Sequence, residues 1–154
     1  MAKSKPRGRP ASSKVKTRAG NNVVSWAEAT LDDWLYTHGF DFVYEPEVKL
    51  GENEESLESF KPDWIVYGKG GWKFEYPIII EYWGLLRTEN RAKWLIDRLP
   101  TYIERKNYKE KFYLRSKKYL YFGVDPSQEG NITEQMKKNL TLAIERQFYD
   151  ISIS

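Results

Sequence analysis

The apolar positions of this chain fall into short runs, and their spacing switches between helical and extended. Trp26, Leu31, Trp34 and Leu35 follow Ser25-Trp26-Ala27-Glu28, a capping-box sequence, and Gly39 closes the segment, so a helix is predicted from Ser25 to about Thr37. Phe40 to Tyr44 reads as a strand, and Val48 to Leu50 as its continuation beyond Pro46. Gly51 to Ser59 reads as an acidic loop. Trp64-Ile65-Val66-Tyr67 and Ile78-Ile79-Ile80 are unbroken apolar runs bounded by Gly and Pro, the pattern of short buried strands. Gly68 to Tyr76 would form the hairpin loop between them. A helical stretch around Glu89 to Leu99 should stop at Pro100, and a second helix should run from Thr101 to about Ser116. Tyr119 to Val124 is a further strand, and a last helix spans about Glu134 to Gln147, after Gly130-Asn131 and Thr133. The order α-β-β-β-α-α-β-α predicts an α/β domain: a mixed central β-sheet flanked by helices.

Two carboxylates stand at the ends of the most apolar strands. Asp63 opens the first and Glu81 closes the second. With Gly68 to Tyr76 as the loop, Tyr67 faces Pro77 and Asp63 faces Glu81, and directly opposed residues share a sheet face. A slip of one residue would part them. A carboxylate behind three isoleucines is costly to bury without a cation, a hydrogen-bond donor or a metal. Two on neighbouring strands suggest a divalent-metal site. A pair of strand-end acids meeting solvent or a nearby Lys or Arg is the other open reading.

Composition and charge add partners to this picture. A chain of 154 residues is long enough for one domain with its own core. Six Trp and eleven Tyr point to an aromatic core, with surfaces on which bases could stack. The absence of cysteine excludes disulfides and thiolate-zinc sites and fits an intracellular protein. No apolar run reaches the length of a membrane span, and the basic N-terminus has no apolar h-region, so neither membrane association nor a secretory signal is expected. The net charge of +3 is segregated: residues 1–20 carry +7 and no acid, and the remainder carries −4. Residues 1–22 are expected to be a disordered basic tail and residues 23–154 the folded domain. Lys5-Pro6-Arg7-Gly8-Arg9-Pro10 resembles an AT-hook, in which an extended Arg-Gly-Arg enters the narrow minor groove of A·T-rich DNA. A generic polycationic arm is the alternative. Both make Lys5, Arg7, Arg9, Lys14, Lys16 and Arg18 candidate nucleic-acid contacts.

From Ser25 to Val124 the motifs follow one another in a recognisable order: a helix bearing Glu28 that runs into Gly39-Phe40, then Pro62-Asp63, then Glu81, then a helix and a strand. This ordered set resembles the PD-(D/E)xK nuclease superfamily. The resemblance implies a restriction-endonuclease-like fold and Mg²⁺-dependent cleavage of DNA to leave a 5′-phosphate, with Mn²⁺ able to substitute. It implies metal binding by Glu28, Asp63, Glu81 and the Tyr82 carbonyl. The usual lysine two residues after the second acid is replaced here by Trp83. Glu81-Tyr82-Trp83-Gly84 looks like a variant subgroup whose lysine sits on the following helix. Tyr102, Arg105, Lys109 and Tyr113, at offsets of 3, 7 and 11, share one helical face. The resemblance then implies Lys109 as the catalytic lysine and Arg105 as a DNA contact; Lys106 and Lys111 are rivals on other faces. Glu28 has a second reading, as the capping acid returning to the Ser25 amide. His38, the only histidine, stands at a helix end, where it suits a partner of the helix dipole.

Within the superfamily, the small size and the helix acid leading to Gly-Phe look most like archaeal-type Holliday-junction resolvases. That branch implies a homodimer acting on branched or four-way-junction DNA in recombination and repair. It also implies a DNA-associated protein inside a prokaryotic or virus-infected cell. Mismatch-nicking and homing-type relatives share the Glu-Tyr-Trp-Gly form, and a mismatch-nicking or homing- or restriction-type endonuclease stays open. A non-catalytic A·T-rich DNA-binding protein is the alternative of another class.

Overall fold

The computed structural model describes residues 14–86, 93–127 and 131–149, with the side chains of residues 93–96 and of Tyr149 excepted. The AT-hook-like segment with Lys5, Arg7 and Arg9, the start of the helix expected at Glu89, and Gly130 all lie outside the described residues.

The chain opens with a small antiparallel hairpin, β1 (Val15–Lys16) and β2 (Asn22–Val23). This corrects the boundary drawn at Asn22 for the unstructured arm, because the hairpin is anchored. Val23 and Thr17 are buried, the Asn21 amide donates to Asp32 at 3.0 Å, and the Arg18 N–H donates to Asp33 at 2.8 Å. Composition had concealed this: the basic side chains of Lys14, Lys16 and Arg18 point outward while Val15, Thr17 and Val23 turn in.

Helix α1 (Trp26–Thr37) starts as expected, with the Ser25 hydroxyl accepting the Glu28 N–H at 3.1 Å. It ends at Gly39, whose φ of 76° suits a residue without Cβ. His38 stacks on Trp34, and its Nδ1 lies 2.8 Å from the Trp34 carbonyl, so the imidazole serves the helix end. Strand β3 (Phe40–Tyr44) follows. Next come β4 (Val48–Leu50) and β5 (Glu58–Phe60), a second antiparallel hairpin separate from the main sheet. The segment expected to be an acidic loop therefore holds a 3₁₀ turn at Glu54–Ser56, capped by Asn53, and the start of a strand.

Strands β6 (Trp64–Lys69) and β7 (Trp72–Tyr82) form the central hairpin. The turn is much tighter than the expected nine-residue loop. Gly70 and Gly71 both have positive φ, the requirement of a two-residue type I′ turn. The length is absorbed by a register shift between Val66 and Gly68, so the expected pairing of Tyr67 with Pro77 gives way to a bulge. Proline has no N–H for the ladder, which is why an interior strand tolerates it there.

Helix α2 (Lys93–Arg115) runs through Pro100, where two helices were expected; the other i→i−4 bonds carry the helix across the one that Pro100 removes. Strand β8 (Leu120–Val124) and helix α3 (Ile132–Tyr149) complete the described chain.

The central sheet has the order β3-β6-β7-β8, antiparallel except for the parallel pair β7-β8. It is mixed, as predicted. Alternation sends Trp64, Val66, Ile78 and Ile80 to one face, where they pack with Leu31 and Leu35 of α1 and Met136 and Leu140 of α3. Ile65 and Ile79 face the other way and meet Tyr113 of α2 and Val48, Leu50 and Phe60 of the small hairpin. Both faces are covered, which is why these strands read as continuous apolar runs.

Candidate active site

The site forms where the most apolar strands end. Trp64 pairs with Ile80, Ile65 with Ile79 and Val66 with Ile78, and this register continues to bring Asp63 opposite Glu81. Both acids lie on the face of Ile65 and Ile79, each two residues away along its strand, so α2 covers them. Asp63 Oδ2 accepts the Tyr82 N–H at 2.7 Å. Glu81 is buried, and its Oε2 accepts the Tyr113 hydroxyl at 2.7 Å. Lys109 Nζ stands 3.9 Å from the same oxygen. Lys109 and Tyr113 are one helical turn apart, so a single face of α2 delivers a cation and a hydroxyl donor to one carboxylate. The two carboxyl groups lie against each other, so each bears on the other's proton affinity.

Burial, and then the charge of Glu81, push the Asp63 carboxyl well above the usual carboxylate range. Burial also raises Glu81, against the opposing pull of Lys109 and Tyr113. Burial raises the Tyr113 hydroxyl too, so it stays protonated and donates. Two carboxyls in such contact hold either a shared proton or a cation between them. The donors are all oxygen, which fits a hard divalent ion such as Mg²⁺.

Glu28 stands near this pair without joining it. Its carboxylate accepts the Tyr44 hydroxyl at 3.0 Å and the Val24 backbone amide, so it does not make the capping-box return to Ser25. Burial, and then the Asp63 charge, raise it to about 7. Among the described residues no group of three or more His, Cys, Asp or Glu side chains is arranged to hold a metal ion. Of the three expected acids, Asp63 and Glu81 are the two set against each other. The Tyr82 carbonyl leaves β7 on the edge from which its N–H reaches Asp63, since both groups of a strand residue point to one side.

Trp83, at the position of the usual lysine, organises two lysines instead. Lys109 and Lys106 lie over its ring at 5.9 and 5.6 Å from the centroid. Tyr102 meets it edge-on at 6.0 Å. Trp83 Nε1 donates to the Tyr121 hydroxyl at 3.0 Å, Tyr121 donates to Glu110 at 2.5 Å, and Glu110 pairs with Lys106 at 2.9 Å. Lys106 thus shares the tryptophan face with Lys109, which helical phase had not foreseen, but its charge is answered by Glu110. Gly123 makes room for this chain of contacts: a Cβ there would come within 2.6 Å of Trp83 Nε1 and 2.8 Å of the Tyr121 hydroxyl. Tyr121 and Glu110 were missed by sequence reasoning; the only signal was a glycine inside an apolar strand. Arg105, Lys111, Lys14, Lys16 and Arg18 are exposed.

Fold and site together define a mixed α/β domain with an acid pair at the ends of adjacent central strands, buried Glu81 beside half-buried Asp63, and a lysine next to it. No family model matches the chain, and neither a curated protein nor a solved structure does.

Proposed function

We propose that this chain is a Mg²⁺-dependent DNA endonuclease with a restriction-endonuclease-like fold. The observation that carries the reading is the convergence of Asp63, Glu81, Lys109 and Tyr113: two carboxyls opposed on one sheet face, with the cation and the hydroxyl of α2 turned to Glu81. Asp63 and Glu81 would hold the ion, with the Tyr82 carbonyl beside them and Glu28 as an outer acid acting on Asp63 through charge. A bound divalent ion lowers the pKa of its water and stabilises charge on a phosphate. Tyr113 keeps the Glu81 carboxylate in place by donating to it. Lys109, a little over one-third exposed, can reach both Glu81 and an incoming phosphate. Its ammonium would orient the attacking water and offset negative charge as the phosphodiester bond breaks. The seven cations of residues 1–20 support DNA as the polymer.

Branched DNA is the proposed preferred substrate and a homodimer the proposed assembly, on the resemblance to junction resolvases. The test is to incubate the protein with Mg²⁺ and linear duplex, mismatched duplex, single strand, flap and four-way junction, and to map the cuts. The expected result is metal-dependent nicking close to the branch point of the junction. Binding to every form with no metal-dependent cut on any of them would instead identify a non-catalytic DNA-binding protein.

A further inference from the structure

A groove of about 800 Å³ opens between the small β4–β5 hairpin and the C-terminal end of α2. Lys49 lines one wall, and Lys111, Arg115, Lys117 and Lys118 line the other. The acids along it are Glu52 and Glu58, and Glu58 already accepts the Tyr108 hydroxyl at 2.6 Å. Among the described residues none of the five cations makes an ion pair. The dipole at the end of α2 accounts for part of this charge, since cations are favoured at a helix C-terminus. It does not account for Lys49, which comes from the opposite wall, nor for a concave space much larger than one anion.

The groove and the acid pair share the sheet face that α2 covers. Along α2, Arg115 lies about 9 Å beyond Lys109 at 1.5 Å per residue. One DNA strand advances about 3.4 Å per nucleotide, so the offset corresponds to roughly three nucleotides. We infer that this groove seats the phosphate backbone of DNA flanking the cleavage point. The inference rests on the nuclease reading for its choice of polymer. The groove would be a second anchor in addition to the N-terminal arm, and because its contacts go to phosphates it positions the strand without reading sequence.

The experiment measures duplex binding by the full chain without metal, over a salt series, for the wild type and the variant K111Q/R115Q/K117Q/K118Q. These side chains are exposed, so the fold should survive. The variant should bind about tenfold more weakly or worse, and its log–log salt slope should flatten by about 0.9 per lost contact. Unchanged affinity and slope would overturn the groove assignment, and the nuclease reading would stand. Loss of binding in a protein that cuts no DNA form would uphold the groove and overturn the nuclease. Lysine acetylation of the wild type gives a second measure that no folding defect can blur. DNA should protect Lys49, Lys111, Lys117 and Lys118 and leave Lys137 and Lys138 on α3 reactive. Equal protection by polyglutamate would assign the groove to acidic proteins and overturn the inference.

Discussion

At the scale of single residues, the acid pair and its lysine carry distinct expectations. In the nuclease reading, Asp63→Asn and Glu81→Gln should each abolish cleavage and leave DNA binding within about tenfold, because both acids would serve the ion more than the polymer. Near-wild-type rates in either variant would dismantle the site. Lys109→Ala should lower the single-turnover rate about 10²-fold or more, a usual share for one positioned proton-transfer or charge-stabilising group. Lys106→Ala should cost less, because its charge is already engaged by Glu110, and Lys111→Ala should leave the rate at saturation unchanged. A larger loss at Lys106 would mean that Trp83 presents that lysine to the phosphate. The raised carboxyls also make stability depend on pH. Glu28 binds a proton in the folded state up to about 7, whereas in the unfolded chain it loses it near 4.5. Between those values the folded form holds more protons, so stability falls as pH rises, by up to about 3 kcal/mol for Glu28, and then levels off. Asp63 and Glu81 are raised as well and push in the same direction. In EDTA the melting temperature should be higher at about pH 5 than at about pH 8, and Glu28→Gln should flatten part of that slope. Mg²⁺ should raise it more at the higher pH, where it competes with fewer protons. A melting temperature that climbs with pH in EDTA would contradict the buried acids.

At the scale of elements, the N-terminus divides into an arm and a hairpin. Removing residues 1–13 takes away the AT-hook-like motif and leaves β1 and β2 in place. DNA binding should weaken and its salt slope flatten by about 0.9 per lost contact, with the melting temperature unchanged. Removal through residue 20 should lower the melting temperature as well, because it deletes β1 and buried Thr17. If both truncations melt alike, the hairpin contributes nothing to the fold. Replacing Arg7 and Arg9 by alanine should weaken binding to A·T-rich duplex more than to G·C-rich duplex. Equal losses would leave a generic basic arm.

At the scale of the whole molecule, the nuclease reading carries an expectation about substrate. Phosphate contacts position a protein without reading sequence, so in that reading shape would be the selector. A two-fold dimer would set two acid pairs at symmetric positions, as a four-way junction requires. The protein is expected to be a dimer by light scattering, to prefer a four-way junction over linear duplex of equal length in excess competitor DNA, and to nick opposing strands as a pair. A monomer that nicks linear duplex equally well would refute the resolvase reading and leave the nuclease reading intact.

The sequence by itself determined how Trp64 to Val66 lie against Ile78 to Ile80 and which way their acids face, while the turn of that hairpin differs from the loop expected. Trp64 to Val66 and Ile78 to Ile80 are buried on both faces and bounded by charge, so few registers satisfy them, and Asp63 meets Glu81 in the one adopted. Helix α1 was legible for a similar reason, since its cap and stop are local. What needed the tertiary structure was contact between distant segments. Glu28 is turned away from the Ser25 amide by Tyr44, sixteen residues on. The Trp83–Tyr121–Glu110–Lys106 chain joins a strand end, a parallel neighbour and a helix, and no local pattern links them. The β4–β5 hairpin forms in a stretch whose acids read as loop, because Val48, Leu50 and Phe60 find Tyr113 and Ile65 to pack on. Helix α2 continues past Pro100, where the local rule would break it. Periodicity and capping are properties of neighbours in the chain, but where a buried charge finds its partner depends on which elements the fold stacks together.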